Sequence, residues 1–225
     1  MNEAVLDALI AELRNEADEA AWHVGYMRAV IDENPLISDR LNGSYSGYAG
    51  AIANSAVKAA LILYCARAWD KAEDAVSLRR TIDKLPDLDG LVKRRGIQLA
   101  ALGVDSDDAS ALASRHAALL KAFGEAAASV SHDHIRLLRT EYFAHRVIES
   151  KERKKLASSG VAIEPATYDA LLQLAEATIL LVGEIGYLWD RLSNPYADRI
   201  ARAEACCREF WHNVPVLRDV EKPLR

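Results

Sequence analysis

The stretch of this chain with the most groups able to do chemistry is His132-Asp-His-Ile-Arg-Leu-Leu-Arg139-Thr-Glu-Tyr-Phe-Ala-His145-Arg146. A helix presents residues three or four apart on one face, so His132 and His134, two apart, point to different sides and do not suggest a metal pair. Arg139 and His145 are more informative. An imidazole titrates near neutral pH and can carry a proton to or from a reacting oxygen. A guanidinium stays charged and offers forked donors that hold phosphate oxygens and stabilise charge growing on them. By spacing alone a plainer reading stays open, in which His145, seven residues after Leu138, is a hydrogen-bonded histidine at a core edge and Arg139 a solvated cation. Six helical residues also separate the pair by about 9 Å along the axis and roughly 120° around it. A single helix aims both at one phosphate only if Arg139 reaches round or the helix unwinds. A two-fold dimer would instead bring two copies of the motif together, because an isologous interface duplicates the same patch.

Other signatures are absent from the sequence: there is no GxGxxG, GxxxxGK[ST], HExxH or GxSxG. Dinucleotide, P-loop, zinc-protease and hydrolase-elbow chemistry therefore have no support here. Cys65, Cys206 and Cys207 form no CxxC pair, and an odd count does not suggest a disulfide framework. Cations cluster around and beyond the motif, at Arg136, Arg146, Lys151, Arg153, Lys154 and Lys155. They read either as a track for a nucleic-acid backbone or as a solvated helix end and loop diluted by Glu149 and Glu152. Tyr142, three residues after Arg139, is placed to stack on a base. The other aromatic residues, Trp69, Phe143, Trp189 and Trp211, read as packing residues. Arg67 and Asp70, three apart, read as a scaffolding pair on one helix face.

Leu138-Arg-Thr-Glu-Tyr-Phe-Ala-His-Arg146 resembles the L-R-(N/D)-K-x-x-A-H-R form of the HEPN ribonuclease motif found in AbiU-type abortive-infection proteins. A second block, Leu61-Ile-Leu-Tyr-Cys-Ala-Arg67-Ala-Trp-Asp70 followed by Val76-Ser77-Leu78, is similar to that family's central "isRlfD…vSL" segment. In helix order the resemblance runs from about Ala4 to Leu188. It implies an all-α HEPN-like bundle and a metal-independent endoribonuclease, a toxin or antiphage effector. Arg139 and His145 would be catalytic, with Arg136, Thr140, Tyr142 and Arg146 on the substrate. RNA would be cut by attack of the 2′-hydroxyl, leaving a 2′,3′-cyclic phosphate and a 5′-hydroxyl, with no cofactor and no metal. The implied assembly is a homodimer with a composite cleft, held in check by an antitoxin. Two positions depart from the pattern. Thr140 stands where Asn or Asp is usual, and Glu141, where Lys is common, adds negative charge beside a phosphate site. They favour the alternative of a catalytically silent bundle that binds RNA or another protein. A structural bundle with no ligand is a third reading.

The elements that must position these residues are helices. Leu6, Ile10, Leu13, Ala17, Ala20, Val24 and Met27 step by threes and fours, predicting a helix over residues 4–31. Asn34-Pro35 ends it, and the segment to Ser44 reads as a turn-rich connection. A second long helix is expected over 46–71. A short one, capped by Ser77, should run through Leu85 and another from Pro86-Asp87 toward Leu102. Asp105-Ser106-Asp107-Asp108 signals the start of a long helix carrying the motif as far as Ile148, with a bend near Gly124. The polar run 149–160 reads as a loop. Glu164-Pro165 opens a helix through Trp189, and Asn194-Pro195 breaks it before a last helix over 196–211. No stretch alternates with a strand's period of two. The expectation is one all-α domain over 1–225, four long helices plus two or three short ones, with its core at about 4–190 and a C-terminal helix and tail at 191–225.

Bulk composition is compatible with this reading. With 225 residues, 51% hydrophobic and 27% charged, the chain can bury a full core without staples. A net charge of −5 does not announce a nucleic-acid binder, so RNA contact would need a local basic patch. The N-terminus lacks the pattern of a signal peptide, and the apolar run Thr178–Leu188 looks too short to cross a membrane. A cytoplasmic protein with no membrane partner is the expectation.

Overall fold

The computed structural model describes residues 3–104, 109–129, 132 and 168–216. Eight helices make up the fold of these residues, with no strand among them. They are α1 (Glu3–Asp32), α2 (Asn34–Leu41), α3 (Tyr45–Ala68), α4 (Leu78–Lys84), α5 (Leu88–Ala101), α6 (Ala109–Ala127), α7 (Tyr168–Asp190) and α8 (Tyr196–Asn213).

The 30-residue α1 is the central strut, packing against α8, α7 and α3. The apolar stripe read from its sequence is the stripe it buries: Leu6, Ile10, Leu13, Ala17, Ala20, Val24 and Met27 lie in one core with Leu61, Ile62, Ile179, Val182 and Ile185. Truncating any one of the larger of these would cost about 2–5 kcal/mol, through lost burial and the cavity left behind. Two glycines let helices approach closely. A Cβ on Gly25 would stand 2.3 Å from the Ile200 carbonyl oxygen and 2.6 Å from the Ala203 Cβ, so the α1–α8 crossing needs its absence. A Cβ on Gly186 would stand 2.3 Å from the Arg14 guanidinium. That guanidinium makes a two-pronged bond to Asp190, at 2.5 and 2.6 Å, tying α1 to the end of α7.

Caps formed where the sequence places them. Ser44, Ser77 and Asp87 accept from the amides of Gly47, Arg80 and Gly90. At the other end of α7 the orphan carbonyls are met by α5. Arg95 donates to the Tyr187 carbonyl at 2.7 Å, and Arg94 and Gln98 to that of Trp189 at 3.1 Å.

Three features differ from the sequence expectation. Residues 34–41 are a helix, not a turn-rich connection: Pro35 sits in its first turn, Leu41 is buried, and Arg40 donates to the carbonyls of Trp211, His212 and Val214. Those tertiary contacts stabilise a helix too short to be stable alone. The long helix expected from 109 ends at Ala127, where Ser129 bonds back to the Ala126 carbonyl and accepts from the His132 amide. A serine side chain there competes with the helical ladder. The apolar run around Thr178 belongs to a 23-residue helix of mean hydropathy 1.5, long and apolar enough to cross a membrane. In this fold it is the innermost helix, and 61% of its most apolar window is buried.

Candidate functional site

The expected site residues, Arg136, Arg139, Thr140, Tyr142, His145 and Arg146, lie outside the described residues, as do the cations at 151–155. The frame on either side of them is described, and its centre is Trp69.

Trp69 caps the C-terminal end of α3. Its indole N–H donates to the Thr178 hydroxyl at 2.8 Å, and that hydroxyl donates to the Leu174 carbonyl at 2.6 Å. Thr178 is fully buried, so both of its hydrogen-bonding roles are filled inside the protein, as a buried polar group requires. The Trp69 ring stacks on Phe123 of α6 with centroids 5.3 Å apart and planes 6° apart. His132 meets the same ring edge-on, at 5.2 Å and 65°. Four elements of the chain therefore converge on one indole: α3, α6, α7 and the first residue of the chemistry-rich stretch. At the far boundary, Tyr168 opens α7 with the Lys58 ammonium 4.8 Å above its ring. Both ends of the interval 133–167 thus rest against α3.

The Arg67–Asp70 segment serves the frame as well. Arg67 donates to Glu16 of α1 at 2.8 Å, and the Asp70 carboxylate accepts from the Ala72 amide at 3.0 Å, shaping the turn after α3. Arg80 closes the same turn by donating to the carbonyls of Asp74 and Ala75. Next to Trp69, a polar cleft of about 570 Å³ lies between this turn and α4. Lys71, Arg79 and Lys84 line it together with Asp70, Glu73 and Asp83. The mixed charges suit a solvated polar ligand, and no imidazole or thiol stands there to move a proton.

The described thiols are poor nucleophiles. Burial pushes the Cys65 thiol far up and the Cys207 thiol up to about 11, so neither is a thiolate at neutral pH. Burial lowers His23, favouring its neutral form. Among the described residues no group of three or more His, Cys, Asp or Glu is placed to hold a metal ion.

Reasoning from the sequence found Trp69 only as a packing residue, and it missed Phe123 and Thr178 as that ring's partners. Helical spacing relates residues on one helix and says nothing about which faces of different helices meet. The signal present was Thr178 itself, a hydroxyl inside a long apolar run that must find partners once buried.

Compared with known proteins, the chain matches the family model HEPN_AbiU2, described as AbiU2, over residues 3–210. No curated protein and no solved structure matches it.

Proposed function

Because the chain belongs to the AbiU2 family of HEPN proteins, we propose that it is a metal-independent endoribonuclease acting in abortive infection, as a toxin or antiphage effector. The observation that carries this reading is the span of the family match, which takes in both the Arg67–Leu78 block and the Arg139–His145 motif. The Trp69 cluster supports it, since it joins the first block to His132, seven residues ahead of Arg139.

In this reading the ribose 2′-oxygen bonds to the adjacent phosphorus as the bond from phosphorus to the 5′-oxygen breaks. One proton leaves the 2′-hydroxyl and one joins the departing 5′-oxygen. His145 carries one of these transfers. Arg139 holds the phosphate and offsets the charge that grows on its oxygens. Arg136, Thr140, Tyr142 and Arg146 hold the RNA beside the break, and the products are a 2′,3′-cyclic phosphate and a 5′-hydroxyl. Two copies of the chain compose the cleft, which removes the need for one helix to aim both groups at one phosphate. An antitoxin partner and a cytoplasmic setting belong to the same proposal.

The test is RNA cleavage by purified protein in EDTA, comparing wild type with Arg139→Ala and His145→Ala. Cleavage that survives the chelator, leaves cyclic-phosphate ends and vanishes in both variants is the expected result. Equal inertness of all three proteins on total RNA and tRNA would overturn it in favour of a silent RNA- or protein-binding bundle. Thr140, Glu141 and the net charge of −5 are the observations that favour that second reading.

A further inference from the structure

Helix α3 is apolar nearly all round, with a mean hydropathy of 1.4 in its most apolar window, yet only 28% of that window is buried. One side, with Gly50, Leu61, Tyr64, Cys65 and Ala68, enters the core. The opposite side shows Tyr45, Tyr48, Ala49, Ile52, Ala56 and Leu63 to solvent, Tyr48 at 66% and Ile52 at 73% of full exposure. At about 100° per residue these six fall in a stripe roughly 100° wide and about 27 Å long. It adjoins an apolar groove of about 340 Å³ between α1, α3 and α8, lined by Tyr26, Val57 and the half-exposed rings of Trp22 and Phe210. A contiguous exposed apolar surface of this extent marks an interaction site.

We infer that this face of α3 is where two copies of the chain pack, antiparallel and about a two-fold axis at the level of Asn54. The pattern of the stripe is self-complementary about that point. Tyr45 falls opposite Leu63 of the second copy, Tyr48 opposite Ala59 and Ala60, and Ile52 opposite Ala56, so large residues meet small ones all along the contact. Small residues at the crossing let helix axes come within about 8 Å. The exposed parts of Trp22, Tyr45, Tyr48, Ile52, Leu63 and Phe210 amount to about three whole side chains, roughly 600 Å² at about 200 Å² each. With the intervening alanines this approaches the roughly 800 Å² per partner of a standard interface. A lipid surface suits the stripe less well. Helices that lie on membranes carry Lys and Arg along their polar flanks, whereas Lys58 is the one cation from Tyr45 to Ala66.

This assignment rests on the dimer in the proposed function and is independent of whether the chain cuts RNA. Its test is light scattering on the full chain at micromolar concentration, with Ile52→Glu and Tyr48→Glu alongside wild type. The expected result is a wild-type dimer and a rise of about thirtyfold or more in the dissociation constant of each variant, the size of a hot-spot loss. A second measurement guards against misfolding: oxidation of Ile52→Cys/Ala56→Cys should give a covalent dimer that the parent protein, with its own Cys206, does not give. A wild-type dimer that neither glutamate weakens, with no added cross-link, would overturn this face and leave the dimer itself standing. A strictly monomeric wild type would overturn both. Wild-type binding to phosphatidylglycerol vesicles that Ile52→Glu abolishes would give the face to a membrane and overturn the pairing of copies.

Discussion

The indole of Trp69 and the imidazole of His132 meet edge to face at 5.2 Å, joining the end of α3 to the start of the chemistry-rich stretch. An aromatic pair of this geometry stabilises by about 0.5–1.5 kcal/mol beyond the area it buries. More importantly for function, it fixes where the chain stands as it enters the motif. The same indole is held from behind by Thr178 and from the side by Phe123.

The first prediction concerns that ring. Trp69→Ala should lower the unfolding free energy by about 3–5 kcal/mol. Trp69→Phe keeps a ring on Phe123 and removes the N–H from Thr178, so it should cost about 1 kcal/mol, plus part of the lost packing. Urea unfolding followed by far-UV circular dichroism measures both. A loss under about 1 kcal/mol for the alanine variant would mean that the cluster does not anchor α3 to α7.

Gly25 offers a sharper steric test. Alanine favours a helix over glycine by about 1 kcal/mol, so on propensity alone Gly25→Ala should stabilise α1. The structure predicts the opposite, because the new Cβ would meet the Ile200 carbonyl at 2.3 Å, where backbone has to move. Overpacking of this kind costs about 1–3 kcal/mol. The melting temperature should therefore fall, and a rise would show that α8 does not cross α1 so closely.

Arg67→Ala separates scaffold from function in the block that resembles the family's central segment. Its side chain is 57% exposed and pairs with Glu16, so its removal should change stability by about 1 kcal/mol or less. If RNA cleavage by the variant also stays within about threefold of wild type, Arg67 is scaffold. A loss of a hundredfold at unchanged stability would put it in the substrate site.

Alkaline pH should weaken the fold. Burial raises Tyr26, whose hydroxyl donates to Asn54, to about 12, and Cys207 to about 11. In the unfolded chain these groups lose their protons near 10 and 9. Between the unfolded and folded values the native state holds protons that the unfolded state has released, so stability falls as pH rises. It should be full below about pH 9, decline from there to about pH 12, and decline less steeply in Tyr26→Phe. Denaturant midpoints across pH 8–12 check the sign, and a flat profile would contradict it.

Much of the frame is legible in the residue pattern. The α1 stripe, the caps at Ser77 and Asp87 and the break at Asn194-Pro195 are local signals, set by side-chain spacing and backbone hydrogen bonding within a few residues. The expected catalytic pair is legible as a motif, and its geometry lies outside the described residues. What the sequence conceals is non-local. Arg40 looks like one more turn residue, and only the carbonyls at the end of α8 explain why residues 34–41 are helical. Arg67 and Asp70 look like a pair on one face, whereas Arg67 reaches α1.

The sequence by itself determined that the chain is helical and where most helices begin, because helix period and capping are properties of neighbouring residues. It also determined the family, through residue types at fixed spacings. The tertiary structure alone decided which faces meet. α3 is apolar on nearly every side, so no periodicity chooses the side that enters the core. Packing against α1 and α7 makes that choice, burying Leu61, Tyr64 and Cys65 and leaving Tyr48 and Ile52 outside.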